Sequence, residues 1–393
     1  MASSLKQTIN DVLVAIRRFE VAWIQEEIDG SLPTVEALEA LFQVREAKAK
    51  LTGRPLAETA VRRWDVAFLT EQVRQERYAV DQEAFRRYFA PQHSLAFVFA
   101  VAQRLFGVRF EPLAQPLWHA EAHAYAVRDA DGRLLGTLAV DLFPRQDKYN
   151  HAAVWSFRNV STKSGRLPAA ALVTNFDRQG LTLGELETLL HEFGHALHAL
   201  LSSTRYAIPG GTNVQLDFVE APSQMLEEWV YDPAVLALFQ LVCAECAPVP
   251  REMIERASRA RHFAKGVMFS RQLLYARFDL ALHGRRVEPP RALWARMEGA
   301  TPTGTVAGTM FPASFGHLAS GYGAGYYGYL WSLVVAEDLR TAFAADRLDA
   351  TVGRRYRDTV LAHGGEIAPE ELVRRFLGRP GSRDAFFRSL AIE

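Results

Sequence analysis

Residues 181–201, LTLGELETLLHEFGHALHALL, carry the clearest structural pattern in the sequence. Thr182 and Glu185 form the Thr-x-x-Glu pattern of a capping box, which predicts that a helix begins at this point. When each residue is turned by about 100°, the apolar side chains of the segment collect on one face. These apolar residues are Leu186, Leu189, Leu190, Phe193, Leu197, Leu200 and Leu201. The pattern predicts an amphipathic helix with one buried face.

The polar face of this helix carries the residues with catalytic chemistry. Its members are Glu187, His191, His195 and His198, with Glu192 at the edge. The stretch 191–195, HEFGH, is an H-E-x-x-H motif, in which two imidazoles four residues apart can bind one Zn²⁺ and the glutamate can take a proton from water. A solvated face is the alternative, but so many potential ligands beside an apolar stripe indicate a lined cleft.

A catalytic zinc site needs a third protein ligand. The metzincin pattern is excluded, because positions 198 and 201 do not carry the required Gly and His. A carboxylate from a later helix remains, and the best segment is residues 217–229, DFVEAPSQMLEEW. Pro222 is tolerated only near a helix start, which places Glu220 at or just before the first turn. Spacing leaves Glu220 and Glu227 interchangeable, one as metal ligand and the other as a hydrogen-bond partner of a ligand imidazole.

Composition and charge exclude several classes of protein. The chain has 393 residues, 49% of them hydrophobic, with 45 basic and 45 acidic side chains. Such a chain can bury a sizeable core, and its neutral balance argues against a nucleic-acid binder or a polybasic membrane binder. No apolar run reaches the roughly 18 residues of a membrane span, and the first ten residues do not resemble a signal peptide. We therefore expect a cytoplasmic protein.

The periodicity predicts a mostly α protein with one small β-sheet. Helical spacing dominates up to about residue 110 and again from residue 181, whereas the sheet is expected at about 121–175. Asp129–Gly132 is a turn signal between two strand-like runs and predicts a hairpin. We predict a helical N-terminal segment over 1–110 and a catalytic region over 111–393. The predicted N-terminal helices cover 9–24, 35–44 and 85–106, and the predicted strands cover 123–127, 134–142, 152–157 and 169–173.

The two cysteines, Cys243 and Cys246, form a C-x-x-C motif. This spacing occurs in redox pairs and in halves of metal sites, but a four-cysteine zinc site needs a second pair, which the sequence lacks. Because the motif lies at the end of an apolar stretch, we expect two reduced thiols without a function.

Several stretches together resemble one known family. They are HEFGHALH at 191–198, DFVEAPSQMLE at 217–227 and FGHLASGYGAGYYGYLW at 315–331, preceded by DLFPR at 141–145. The combination resembles the thimet oligopeptidase family of zinc metallopeptidases, which includes neurolysin and oligopeptidase A. The resemblance implies the mostly helical, zincin-like catalytic domain of that family.

The resemblance also implies a site with one Zn²⁺ per chain. The implied ligands are His191, His195 and Glu220. Glu192 would then be the general base, and we expect Glu187 and Glu227 to contact the ligands from outside. This assignment resolves the choice between Glu220 and Glu227 that spacing leaves open.

The glycine-tyrosine segment, residues 315–331, is the second functional stretch that the resemblance marks. It implies that His317, Tyr322 and Tyr329 contact substrate or stabilise the tetrahedral intermediate, since phenol hydroxyls can donate to a developing oxyanion. Gly323 and Gly325 stand where the family usually has Asp and Gln. This departure bears on whether the loop geometry and the peptide preference match those of the family, and not on the zinc chemistry.

The expected function is a zinc-dependent metalloendopeptidase that hydrolyses oligopeptides, with Glu192 activating water for attack on the peptide carbonyl. The sequence lacks the G-x-M-E-N stretch of zinc aminopeptidases, which favours endopeptidase activity. Family members usually carry a long helical half before the region seen here. A homodimer or a separate helical chain is therefore expected to complete the channel. The alternative is a zinc-holding but weakly active subunit or pseudo-enzyme that binds peptide or a partner chain.

Overall fold

The computed structural model describes residues 33–285 and 288–390. Over these residues the chain is mostly helical and contains one five-stranded sheet, which confirms the predicted fold class. The predicted helix over 9–24 lies outside the described residues. None of the helices described in these two ranges is both long and apolar enough to cross a membrane.

The α-helices are numbered here in chain order. They are α1 (Pro33–Thr52), α2 (Arg63–Tyr78), α3 (Pro91–Phe106), α4 (Leu183–Leu201), α5 (Ala221–Glu227), α6 (Pro233–Leu236), α7 (Phe239–Val242), α8 (Arg251–Ala260), α9 (Lys265–Leu282), α10 (Pro290–Gly299), α11 (Phe311–Ser314), α12 (Gly328–Arg340), α13 (Ala350–Thr359), α14 (Pro369–Leu377) and α15 (Asp384–Leu390). Short 3₁₀ helices connect several of them, including Glu228–Tyr231, Gly316–Ala319 and Leu361–Glu366.

The sheet has the strand order β1-β2-β3-β5-β4. Its strands are β1 (Arg109–Leu113), β2 (His123–Arg128), β3 (Leu134–Asp141), β4 (Ala153–Arg158) and β5 (Ala169–Val173). Strands β3 and β5 are parallel, and the other neighbouring pairs are antiparallel. The helix α4 packs on β3, β4 and β5, so the sheet supports the H-E-x-x-H motif.

Four of the strands and the hairpin follow the sequence-based prediction. The turn between β2 and β3 contains Gly132 with a φ of 86°, a conformation that glycine adopts without steric cost. Strand β1 was not predicted, because the helical assignment extended to residue 110. This strand is short, mostly exposed and contains Pro112, so it lacks the apolar alternation that marks a half-buried strand.

The described chain forms two compact units, each assembled from separate segments. Among the described residues, the helical unit contains 33–80, 256–285, 288–331 and 387–390, whereas the sheet unit contains 81–255 and 332–386. All five strands, α4 and α5 belong to the sheet unit. Residues far apart in sequence pack into each of these units. The division at residue 110 stays a prediction.

The cysteine prediction is wrong. Cys243 and Cys246 are joined by a disulfide bond rather than held as two separate thiols. The helix α7 ends at Val242, and the Cys246 amide then donates to the Cys243 carbonyl oxygen at 3.3 Å. This tight turn brings the two side chains together, which an argument from the apolar stretch could not show.

Candidate metal centre

The helix α4 begins with the predicted capping box. The Glu185 amide donates to Thr182 Oγ1 at 3.0 Å, and the Thr182 amide donates to Glu185 Oε2 at 2.8 Å. The predicted apolar face is buried from Leu186 to Leu201. The helix is thus fixed at its start and along one side, which holds the H-E-x-x-H motif in place.

Three potential metal ligands from two helices converge. Glu220 Oε2 lies 2.9 Å from His195 Nε2 and 3.3 Å from His191 Nε2. One ligand atom from each of the three residues lies within 4.8 Å of the others. In a tetrahedral zinc site with bonds of roughly 2.0–2.1 Å, neighbouring nitrogen and oxygen ligands are about 3.3 Å apart. The donor types and their spacing therefore fit a divalent metal ion such as Zn²⁺.

The third carboxylate is held by the start of α5. Glu220 directly precedes the helix, and Pro222 occupies the first turn, as the sequence predicts. Phe218 and Met225 are buried and anchor the segment. The fully buried Ser223 places its hydroxyl oxygen 2.8 Å from the Glu220 carbonyl oxygen and 3.2 Å from Glu220 Oε2. Ser223 gives no distinctive sequence signal, since a serine in a first helical turn is common.

The two carboxylates expected around the ligands take different positions. Glu227 Oε1 lies 2.6 Å from His191 Nδ1, the ring nitrogen that faces away from Glu220. Such a contact favours the tautomer that leaves Nε2 unprotonated for a metal. Glu187 Oε2 accepts a hydrogen bond of 2.7 Å from the Tyr231 hydroxyl. Glu187 is thereby tied to the 3₁₀ helix that follows α5.

The charges of these groups depend on one another. Burial disfavours ionisation of Glu220, but the neighbouring His195 and His191 outweigh it and lower the pKa of Glu220 well below its ordinary value. Burial also disfavours charge on His191, but hydrogen bonds to Glu220 and Glu227 raise the pKa of His191 well above 6.5. The cluster thus keeps Glu220 ionised, which is the form that binds a cation.

Glu192 lies beside this cluster in a different environment. Its side chain is buried, and within the described residues its Oε2 atom has no hydrogen-bond partner. Burial raises the pKa of Glu192, while the nearby His191 and His195 oppose the shift. A carboxylate with a raised pKa and an unpartnered oxygen is suited to accept and return a proton.

Gly194 permits the close approach of the two helices that carry the ligands. A Cβ atom at this position would lie 2.6 Å from Ser223 Cα and 2.9 Å from the Pro222 carbonyl oxygen, both backbone atoms of α5. Neither can yield without moving the helix. Gly194 is a variable position of the motif, so only its presence inside a helix gave a sequence signal for close packing.

We expect Gly194→Ala to push α5 and Glu220 away from the imidazoles. The free energy of unfolding should fall by about 1–3 kcal/mol, as in overpacked cores, and metal affinity should fall with it. Gly184→Ala is the matched control, because its Cβ would meet only Thr182 Oγ1 at 4.0 Å. Urea unfolding and zinc titration of both variants test this; equal behaviour of the two would contradict it.

His198 does not line the cleft as predicted from the helical arc. Its side chain is fully buried, and within the described residues neither ring nitrogen has a hydrogen-bond partner. The 3₁₀ helix Leu361–Glu366 packs on α4, and a Cβ atom on Gly211 would lie 3.0 Å from Ala199 Cα. Because other segments cover the end of α4, helical periodicity there does not predict exposure. Burial lowers the pKa of His198 to about 3.

We expect His198 to weaken the protein in acid. Its pKa is about 3 in the folded protein, against an ordinary value of 6.5, so the unfolded chain binds an extra proton between these two values. Stability should therefore fall as the pH falls through this window, by up to roughly 1.4 kcal/mol for each pH unit. His198→Leu should flatten this dependence in urea unfolding at several pH values. The exposed His123→Leu serves as control, and an unchanged slope in His198→Leu would refute the expectation.

The glycine-tyrosine segment belongs to the helical unit and forms an aromatic cluster. Tyr329 Oη lies 3.2 Å from His317 Nε2, and the Tyr322 and Tyr329 rings stack with centroids 5.2 Å apart. The His317 ring also packs edge-on against Tyr322 at 5.7 Å. The structure thus brings together the three residues that the sequence marked in this segment.

Asp279, on α9, holds this segment in place. It is buried, and its two carboxylate oxygens accept hydrogen bonds from the Ala324 and Tyr326 amides at 2.9 and 3.0 Å. Ala324 has a φ of 57°, the left-handed region that L-residues rarely adopt. His283 Nδ1 lies 3.0 Å from Asp279 Oδ1. Asp279 gives no local sequence signal, because its partners lie about 45 residues further along the chain.

The DLFPR stretch at 141–145 forms a buried ionic network at the end of β3. Asp141 is 1% exposed and binds both outer nitrogens of Arg145 at 2.8 Å. Lys148 Nζ and Trp118 Nε1 donate to the same carboxylate at 2.9 and 2.7 Å. Burial opposes ionisation, but these partners lower the pKa of Asp141. We therefore assign the DLFPR stretch a structural role within the sheet unit.

The sequence of the chain matches one known protein family over most of its length. The family described as peptidase family M3 matches residues 24–392. The chain belongs to peptidase family M3. This confirms the resemblance that the motifs indicated in the sequence.

Individual M3 relatives match only part of their own length. Oligopeptidase A of Escherichia coli is 30% identical over 351 residues, which cover 84% of this chain and 51% of that protein. Saccharolysin of Saccharomyces cerevisiae is 31% identical over 357 residues, covering 84% of this chain and 50% of that protein. The chain thus spans about half the length of these curated relatives.

Among solved structures, metallocarboxypeptidase 1 of Trypanosoma cruzi shares the fold. It aligns with a TM-score of 0.53 at 14% identity, covering 97% of this chain and 68% of that chain. At this identity the likeness shows a common fold only. It agrees with a zincin-like architecture for the M3 chain.

Proposed function

We propose that this M3 chain is a zinc-dependent metalloendopeptidase that hydrolyses oligopeptides. The observation that carries the proposal is the convergence of His191, His195 and Glu220 beside the buried, unpartnered carboxylate oxygen of Glu192 within the described residues. Family membership supports peptide-bond hydrolysis as the reaction.

The proposed roles follow from chemistry at each atom. When bound by His191, His195 and Glu220, Zn²⁺ supplies Lewis acidity that polarises the scissile carbonyl and acidifies water. Glu192 accepts a proton from the attacking water at its carboxylate and returns it to the nitrogen of the leaving amine. Glu227 holds the ring of His191 in one orientation through Nδ1.

We further propose that His317, Tyr322 and Tyr329 contact the substrate. Their support is the resemblance of the segment, together with the hydroxyl–imidazole contact of 3.2 Å that orders Tyr329 and His317. An ordered phenol hydroxyl can donate to the oxyanion that forms from the peptide carbonyl. This role is independent of metal binding and is therefore separable by experiment.

Replacing Tyr329 by Phe removes only the hydroxyl. We expect kcat to fall by about 100-fold, the effect of losing one oxyanion donor, with unchanged zinc content. Tyr206→Phe is the control, because Tyr206 is 48% exposed and belongs to the sheet unit. Steady-state cleavage of one fluorogenic peptide measures both variants. Wild-type kcat in Tyr329→Phe would remove Tyr329 from the proposed machinery.

An extended peptide has a natural docking edge in the sheet unit. Strand β4 is the last strand of the sheet, pairs with β5 on one side and contacts α4. Its side chains Trp155 and Phe157 are exposed by 41% and 63%. Extended peptides commonly add to such an edge through main-chain hydrogen bonds. This supports oligopeptides, which bind in extended form, as the substrate class.

The direct test is cleavage of internally quenched fluorescent peptides with blocked ends. We expect hydrolysis that a chelator abolishes and that one equivalent of Zn²⁺ restores. Blocked ends exclude exopeptidase cleavage, and mass spectrometry of the products locates the scissile bond. Stoichiometric zinc binding without chelator-sensitive cleavage would overturn the proposal and favour a zinc-holding subunit that only binds peptide.

A further inference from the structure

A second cluster of side chains of metal-ligand type lies in the sheet unit, away from His191, His195 and Glu220. It consists of His93, on α3, and the linked Cys243 and Cys246. Cys246 Sγ lies 3.4 Å from His93 Nδ1, and the donor atoms of all three residues lie within 4.8 Å of one another. The proposed peptidase activity uses none of these residues.

We propose that these three residues form a redox-controlled second metal site. With the disulfide reduced, the two cysteine sulfurs and His93 bind one soft divalent cation such as Zn²⁺. Oxidation of the cysteines to the disulfide releases the ion. Thiolate and imidazole are the preferred zinc ligands, and C-x-x-C is a recurrent zinc-binding spacing.

One distance between donor atoms, from sulfur to nitrogen, already matches that of a zinc site. Tetrahedral zinc with bonds of about 2.3 Å to sulfur and 2.05 Å to nitrogen separates these ligands by about 3.6 Å. The sulfur–nitrogen distance of 3.4 Å already agrees with this value. After reduction, the two sulfurs can separate by rotation of their side chains, while the Cα atoms stay 5.3 Å apart. Water can complete the fourth position.

The frame of this site is held by packing as well as by the disulfide. Phe239, on α7, stacks on Phe97 of α3 with ring centroids 4.2 Å apart. Gln240 Nε2 donates to the Cys246 carbonyl oxygen at 3.0 Å. These contacts tie the cysteine turn to the helix that carries His93. We therefore expect these contacts to keep the three side chains close together when the sulfur–sulfur bond is broken.

Two of the three residues are partly exposed, so an ion and a reductant can reach the site. Cys243 is 2% exposed, whereas His93 and Cys246 are partly exposed. A dithiol reductant supplies two electrons and two protons, which convert the disulfide to two thiols while the dithiol becomes a disulfide. Binding of the cation then forms two metal–sulfur bonds and releases the two thiol protons. A disulfide oxidant reverses both steps.

Cobalt titration of oxidised and reduced full-length protein tests the proposal. Co²⁺ bound to thiolate gives an intense near-ultraviolet charge-transfer band, and the His191 centre has no sulfur ligand to produce one. We expect the band in reduced protein, saturating at one equivalent per site, and none in oxidised protein. Zn²⁺ should remove the band by displacement and slow the reaction of both cysteines with a thiol reagent.

Three variants assign the ligands. Cys246→Ser should lower the band to about half its intensity, because one of two thiolates is lost. His93→Gln should keep both thiolates but weaken Co²⁺ binding. The affinity should fall by more than the roughly 10–100-fold that is typical when a residue that only hydrogen-bonds a metal ligand is lost. The exposed His123→Gln should behave like the wild-type protein.

Two results would overturn the proposal. One is the absence of the band in reduced wild-type protein at saturating Co²⁺, whether or not circular dichroism shows that the reduced chain remains folded. The other is unchanged Co²⁺ affinity in His93→Gln, which would remove the imidazole from the site. Neither result depends on peptidase activity, so a failure here is distinguishable from a failure of the proposed function.

Discussion

Glu192→Gln is expected to retain bound zinc and to lose most of its peptidase activity. The amide cannot accept a proton from water, whereas its size and shape match the buried carboxylate. General acid–base groups typically contribute about 10²–10⁴-fold, so kcat should fall within this range. Metal content by mass spectrometry and steady-state peptide cleavage on the same sample measure the two effects separately.

The matched control is Glu370→Gln, since Glu370 is exposed in the first turn of α14 and belongs to no site described here. It should leave kcat and zinc content unchanged. Loss of a proton-transfer group typically lowers kcat by at least about 100-fold. A Glu192→Gln variant that retains more than about a tenth of wild-type kcat would therefore refute the general-base role. Loss of zinc would instead assign Glu192 to metal binding.

Glu220→Gln and Glu227→Gln are expected to differ strongly in zinc affinity. Glu220 Oε2 lies within 3.3 Å of both ligand imidazoles, whereas Glu227 contacts His191 at Nδ1, on the other side of the ring. Loss of a residue that hydrogen-bonds a metal ligand typically lowers metal affinity by about 10–100-fold. Glu227→Gln should fall in this range and Glu220→Gln should exceed it, because an uncharged amide replaces the anionic ligand.

Competition against a chromogenic chelator measures both affinities under the same conditions. The substitutions are chemically identical, so each variant is the control for the other. Urea unfolding of the metal-free proteins shows whether either change disturbs the fold. A larger loss of affinity in Glu227→Gln would contradict both the geometry and the family-based assignment.

The local parts of the site were predictable from the sequence because they depend on neighbouring residues. The capping box at Thr182 and Glu185 marked the start of α4, and Pro222 placed Glu220 at the start of α5. The spacing of His191 and His195 put both imidazoles on one side of one helix. Each of these signals acts within a few residues, where helix geometry is almost independent of the rest of the fold.

The remaining parts depend on packing between distant segments, which periodicity cannot show. Gly194 matters because the backbone of α5 passes directly over it, and Asp279 matters because it binds amides in another segment. His198 follows the polar arc of α4, yet other segments bury it. Cys243 and Cys246 were judged from their apolar neighbourhood, although the turn after α7 decides their contact.

Anomalous diffraction at the zinc edge would locate the metal ion and its ligands in one measurement. Crystals would be grown from oxidised protein with one equivalent of Zn²⁺, because the disulfide-bonded Cys243 and Cys246 then offer no thiolate to the ion. We expect one peak, about 2.0–2.2 Å from His191 Nε2, His195 Nε2 and a Glu220 oxygen. Zinc bound to other residues, with no peak at these three, would contradict the proposed metal centre.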